Sequence, residues 1–285
     1  MKKLGFVLLP ALLVYAAAPP EPNPGVVYEI EVTDHEQSPP RLEAMEISVE
    51  GPNLKMDMRP SGGEGGSEEM IFRGDRGENG EMVLVDHDAK SYYVMDDASM
   101  RALAGQMGAA MGAMEEALKN VPEDQREAIE KMMRERGGAG AAGPMTPPAK
   151  PEVRRTGERD TKEGYPCVKY EVFQDGEKIR EIWTTDWDNI DGGDEAAEAF
   201  RGMGAFFEAM SESMGTLPGG EDLFGGQNPF DEMNFVNGFP VVVTSFGEDG
   251  NVEEESRLKS ARRQNIDPAA FQPPSGYERM SMGQG

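Results

Sequence analysis

From Val26 to Met95 the chain alternates apolar and polar residues with a period of two, in short runs separated by turns, and this pattern constrains the fold more than any other feature. Val26, Tyr28, Ile30 and Val32 share one face of a first strand. Met45, Ile47 and Val49 repeat the pattern, as do Leu54, Met56 and Met58 after the turn Glu50-Gly51-Pro52-Asn53. Three further candidates at 70–72, 82–85 and 92–95 are separated by Gly-rich or Asp-rich stretches. Connections this short cannot make parallel crossovers, so an antiparallel meander is the economical fold for this half.

The period then changes. Met100, Leu103, Met107, Met111, Met114 and Leu118 fall three or four residues apart, which keeps all six within a narrow arc of a helix. Pro122 with Glu123 and Asp124 suits the start of a second helix, giving a helical insertion over about 98–136. Residues 137–151, rich in Gly, Ala and Pro, read as a flexible linker. Strand signals return at Val153, with a hairpin of 167–173 and 178–184 turned through Asp175-Gly176. A second insertion over 194–215 carries Phe200, Met203, Phe207, Met210 and Met214 at helical spacing, and a last hairpin pairs 239–246 with 252–264. The fold class expected is mainly β with inserted helices (α+β): one domain over 25–280 with ten or eleven strands. A methionine stripe of this kind serves either as permanent core or as an adaptable lid over a ligand, since methionine is unbranched and polarisable.

Residues 1–16 read as an export signal. Lys2 and Lys3 precede an apolar run from Leu4 to Val14 that is too short to span a bilayer, and small residues follow. Cleavage after Ala18 would leave Pro19 at the first mature position, so cleavage after Ala16 is expected, with 17–24 as a Pro-rich leader. The alternative is an uncleaved anchor. With 53 acidic against 28 basic residues the formal charge is −25, which argues against nucleic-acid binding. Cys167 stands alone among cysteines, so no internal disulfide forms, and the two histidines, His35 and His87, sit in acidic turns unsuited to activating it. The acidic run from Asp186 to Glu195 departs from a calcium-binding EF-hand, with Ile190 and Ala197 where ligands belong. Met56 with Met58, or Met132 with Met133, read more simply as core than as copper ligands. No catalytic residues, metal or cofactor are expected.

The segment Gly164-Tyr165-Pro166-Cys167-Val168-Lys169-Tyr170, with Asp175-Gly176 and Ile182-Trp183 after it, is similar to the pattern of an uncharacterised family of exported bacterial proteins, a domain of unknown function. The resemblance continues through Phe239-Pro240-Val241, Asp249-Gly250, Ile266-Asp267-Pro268, Phe271 and Pro274-Ser275-Gly276-Tyr277. Members of that family look like the periplasmic outer-membrane lipoprotein carriers. The likeness implies a curved antiparallel half-barrel covered by amphipathic helices, with a cavity for a lipid or acyl chain. The side chains that would line such a cavity or its lid are Met100, Leu103, Met107, Met111, Met114, Phe200, Met203, Phe207 and Met210 on the helices, and Tyr28, Ile30 and Trp183 on the strands. A structural or protein-interaction module of the cell envelope, its acidic surface keeping it soluble or meeting a basic partner, is the other function class.

The mature protein is expected to begin at Ala17, outside the cytoplasm and with no integral membrane span. Intact-mass measurement checks this; a mature species that keeps Lys2 and Lys3 would restore the anchor.

Overall fold

The computed structural model describes residues 24–60, 68–119, 151–215 and 236–281. The alternating segments form β1 (Pro24–Asp34), β2 (Arg41–Glu50), β3 (Asn53–Pro60), β4 (Glu68–Arg73), β5 (Glu81–Asp86) and β6 (Ser91–Met95), each antiparallel to the one before. Helix α1 (Asp97–Lys119) follows, then β7 (Glu152–Lys162), β8 (Tyr165–Gln174), β9 (Glu177–Thr185), α2 (Gly193–Gly215), β10 (Phe239–Phe246), β11 (Val252–Asn265) and β12 (Glu278–Met280). The export signal, the leader before Pro24, the second helix of the first insertion and residues 137–150 of the linker lie outside the described residues.

All twelve strands belong to one open sheet in the order β12-β6-β5-β4-β3-β2-β1-β11-β10-β9-β8-β7. The chain builds outward from β1 to β6, restarts at the opposite edge with β7, and winds back until β11 pairs with β1. Two expectations need correction here. The sheet holds twelve strands rather than ten or eleven, and it is mixed, because β12 runs parallel to β6. Three residues, Glu-Arg-Met, carry no alternation to detect. Tertiary placement makes them a strand, as the Glu278 amide donates to the Lys90 carbonyl at 2.9 Å.

Local chemistry sets the turns and helix starts. The β8–β9 hairpin turns on Asp175 and Gly176, both at positive φ (52° and 88°), the pairing that a tight two-residue turn requires. At the start of α1 the Ser99 amide donates to Asp96 Oδ1 at 2.7 Å while the Asp96 amide donates to Ser99 Oγ at 2.8 Å, a reciprocal cap. Helix α2 begins at Gly192-Gly193 because the backbone passes too close to its neighbours for a side chain. A Cβ on Gly192 would lie 2.6 Å from Val26, and one on Gly193 would run into the Trp187 carbonyl.

Both faces of the sheet are covered. On one, α2 buries Ala196, Ala199, Phe200, Met203, Phe206 and Met210 against Tyr28, Phe72 and Phe239. On the other, Val27, Ile71, Val83, Val85 and Val94 pack under Ile266 and Phe271 of a C-terminal strap, residues 266–281. Tyr170, Val172 and Ile182 form a smaller cluster with Val236. Met203 is fully buried, so Met203→Ala should lower unfolding free energy by about 2–5 kcal/mol, whereas exposed Glu208→Ala should change it by less than about 0.5 kcal/mol. Urea unfolding of the two variants measures the difference.

Candidate functional site

Cross-strand partners on the helix-bearing face align into rows that run across β1 to β6. Val26, Val49, Leu54, Phe72, Met82 and Met95 make the first row, and every member is buried. Helix α2 lies along it, with Gly192 against Val26 at one end and Gly202 and Phe206 against Phe72 further on. The second row is Tyr28, Ile47, Met56, Met70, Leu84 and Tyr93. Tyr28 and Ile47 are buried, Met56, Met70 and Tyr93 are partly exposed, and Leu84 is 39% exposed. A third row runs from buried Ile30 through partly exposed Met45 to Met58, also 39% exposed. Exposure therefore rises in two directions, away from α2 and away from β1. The result is an apolar corner of Met45, Met56, Met58, Met70 and Leu84, continuous with the core.

The opposite wing of this face is charged. Trp183 packs against the core while the Lys162 ammonium sits 4.5 Å from its ring centre and that of Lys169 5.9 Å. Lys169 reaches Glu181 at 3.2 Å and Glu158 and Glu171 at 3.7 Å, and Lys178 bonds Glu181 as well. Burial would lower the Lys169 pKa, but these carboxylates outweigh it and hold the ammonium above its ordinary range. Between the two helices and the β4–β5 turn lies a cavity of about 300 Å³, with Met100, Phe206 and Met210 on its apolar side and Glu78, Asp96 and Asp97 on its polar side. Its size is at the lower end of small-molecule sites.

The strand residues singled out from sequence lie on this face: Tyr28 and Ile30 buried in β1, Trp183 partly buried in β9. The Tyr28 hydroxyl donates to the Asp191 carbonyl at 2.9 Å, and burial together with the nearby Glu195 carboxylate raises its pKa far above the ordinary phenol range. Phe200, Met203 and Met210 are buried, Phe207 and Leu103 are partly buried at the edge of the same cluster, and Met100 is buried in the first turn of α1. Met107, Met111 and Met114 fall on α1, and their side chains lie outside the described residues. Sequence reasoning passed over Phe239, whose ring centre lies 4.6 Å from that of Tyr28 and 6.4 Å from that of Phe200. It also passed over the corner residues, although the strand alternation already placed Met45, Met56 and Met58 on one face.

Cys167 is buried in the helix-side core, while His87 bonds the Tyr277 hydroxyl on the strap, so the structure does not bring the two together. Among the described residues no group of three or more His, Cys, Asp or Glu side chains is placed to hold a metal ion, and no helix is long and apolar enough to cross a membrane.

No family model matches the chain, and no curated protein matches it. Among solved structures it is similar to an uncharacterized conserved protein from Thermus thermophilus, with a TM-score of 0.41 and 7% identity over 89% of each chain. PNGF-II gives a TM-score of 0.38 and 8% identity, covering 90% of this chain and 30% of that one. MucB, in the MucA/MucB complex of Pseudomonas aeruginosa, gives 0.29 and 10%, covering 90% of this chain and 56% of that one. All three likenesses are weak, and this chain spans less than two thirds of the length of the latter two.

Burial pushes the Cys167 thiol above its usual range, and its Sγ donates to the Tyr165 carbonyl at 3.4 Å. Thiolate is the reactive form, so labelling by a disulfide reagent at neutral pH should be slow in the native protein and fast in denaturant. Equal rates in the two conditions would contradict this burial.

Proposed function

We propose that the chain is an exported, non-catalytic envelope protein that binds a hydrophobic ligand, of the lipid or acyl-chain class, on the helix-bearing face of its sheet. The observation that carries this reading is the apolar corner of Met45, Met56, Met58, Met70 and Leu84, which continues the core yet stays partly or fully exposed where the first row is buried. An apolar surface of this kind in water needs an occupant or a cover. Four of its five side chains are methionines, which repack around ligands of different shape. In this reading the sheet curves into a half-barrel like that of the periplasmic lipoprotein carriers, and the α1 stripe that includes Met107, Met111 and Met114 supplies the lid. Buried Phe200, Met203 and Met210 then form the floor on which the site rests.

A second reading, a protein-interaction module, is favoured by the formal charge of −25, which suits a basic partner. One experiment separates the two. Met58 and Leu84 are exposed enough that Met58→Asp and Leu84→Asp should leave melting nearly unchanged, yet each places a charge where the ligand would lie. Binding of a fluorescent fatty acid should weaken by about tenfold or more in either variant, because an unpaired charge buried under an acyl chain costs several kcal/mol. Leu42→Asp, which adds the same charge at an exposed apolar residue on the opposite face, should bind as the parent does. No binding by the parent would sink the ligand reading and leave the interaction module.

A further inference from the structure

The strap is fastened to the sheet by polar contacts as well as by Ile266 and Phe271. His87 Nδ1 lies 2.9 Å from the Tyr277 hydroxyl, and Arg73 Nη1 donates to Gln272 Oε1 at 2.6 Å. Arg73 belongs to a cross-strand row of Glu50, Asn53, Arg73 and Glu81, and it is only 8% exposed. Its Nη2 bonds the Glu81 carboxylate, which balances its charge. The remaining direction is unmet. Nε–H of Arg73 is buried with no hydrogen-bond partner among the described residues, and the same holds for Oδ1 of Asn53, the residue directly opposite it on β3.

We infer that a single resident water molecule sits between these two atoms, accepting from Arg73 Nε–H and donating to Asn53 Oδ1, and that it completes the anchor of the strap. The chemistry of the pair selects water over other occupants. An anion would satisfy the guanidinium but face the amide oxygen of Asn53. A cation would be repelled by the guanidinium, and an apolar group would leave both atoms unmet. Where the two atoms do not bond each other, a small neutral molecule that both donates and accepts is what meets one buried donor and one buried acceptor across a strand pair. Such a bridge is nearly as good as a direct hydrogen bond. It holds the third side of the guanidinium while Glu81 and Gln272 hold the others, so Asn53 acts on the position of Gln272 in the strap through Arg73.

A crystal structure of the unaltered chain, at a resolution that orders water, tests the site directly. Density for one water within hydrogen-bond distance of both atoms is the expected result. A direct bond between Nε and Oδ1, an ion, another side chain between them, or no density would overturn it. The coupling to the strap is read by hydrogen exchange. In Asn53→Leu the hydrogen-bonded amides of Ala270, Gln272, Tyr277 and Glu278 should exchange about tenfold faster while those of α2 keep the parent rate, and unchanged strap exchange would overturn the anchoring role.

Discussion

The packing of α2 across the row from Val26 to Phe72 is the contact on which the rest of the structure depends. An open sheet cannot bury its own faces, and a twelve-stranded one offers more apolar surface than its turns can hide. Phe200, Met203 and Phe206 each remove a large side chain from water, at about 1.5–3 kcal/mol apiece, with Phe206 against Phe72 of β4 and Phe200 against Phe239 of β10. The strap performs the same service on the opposite face with much smaller means. The described sheet is thus held between α2, with the first turns of α1, on one face and the strap on the other, and the apolar corner lies on the rows beside α2.

The strands and the helix were legible because their periods differ and each persists long enough to be seen. Alternation at Val26, Tyr28, Ile30 and Val32 names the face that α2 covers, and the three-and-four spacing of Phe200, Met203, Phe207 and Met210 names the stripe that covers it. Phe206 and Phe239 were missed as site residues for opposite reasons. Phe206 lies beside the stripe, which is wider than the strict spacing suggests, and Phe239 opens a strand next to Gly238 and Pro240, where no alternation points at Tyr28. The strap was present in the sequence only as a run of Pro, Gly and isolated aromatics. Its role is tertiary, since Ile266, Phe271 and Tyr277 acquire meaning only from Val27, Val83 and His87 beneath them. The corner was legible residue by residue but not as a site, because exposure depends on which rows of the sheet α2 covers.

Charge and apolar surface divide the helix-bearing face between them. Lys169, Lys178, Glu158, Glu171 and Glu181 are paired with one another on the β8–β9 wing, whereas the β2–β5 corner holds methionines. Elsewhere the surplus of acids is partly organised into ion pairs. Glu29, held by hydrogen bonds from Arg262 and Ser260, has its pKa lowered to about 2, so it stays ionised at neutral pH and loses this pairing only in strong acid. The uncompensated remainder leaves the chain with a large net negative charge, so copies of it repel one another.

Native mass spectrometry of the protein purified from the cells that make it, without detergent, addresses the central claim most directly. A bound hydrophobic molecule should appear as an added mass that leaves on collisional activation, and extraction of the sample should return a lipid. A protein found only at its bare mass, from preparations in which a known lipid carrier keeps its cargo, would contradict a ligand on the methionine corner.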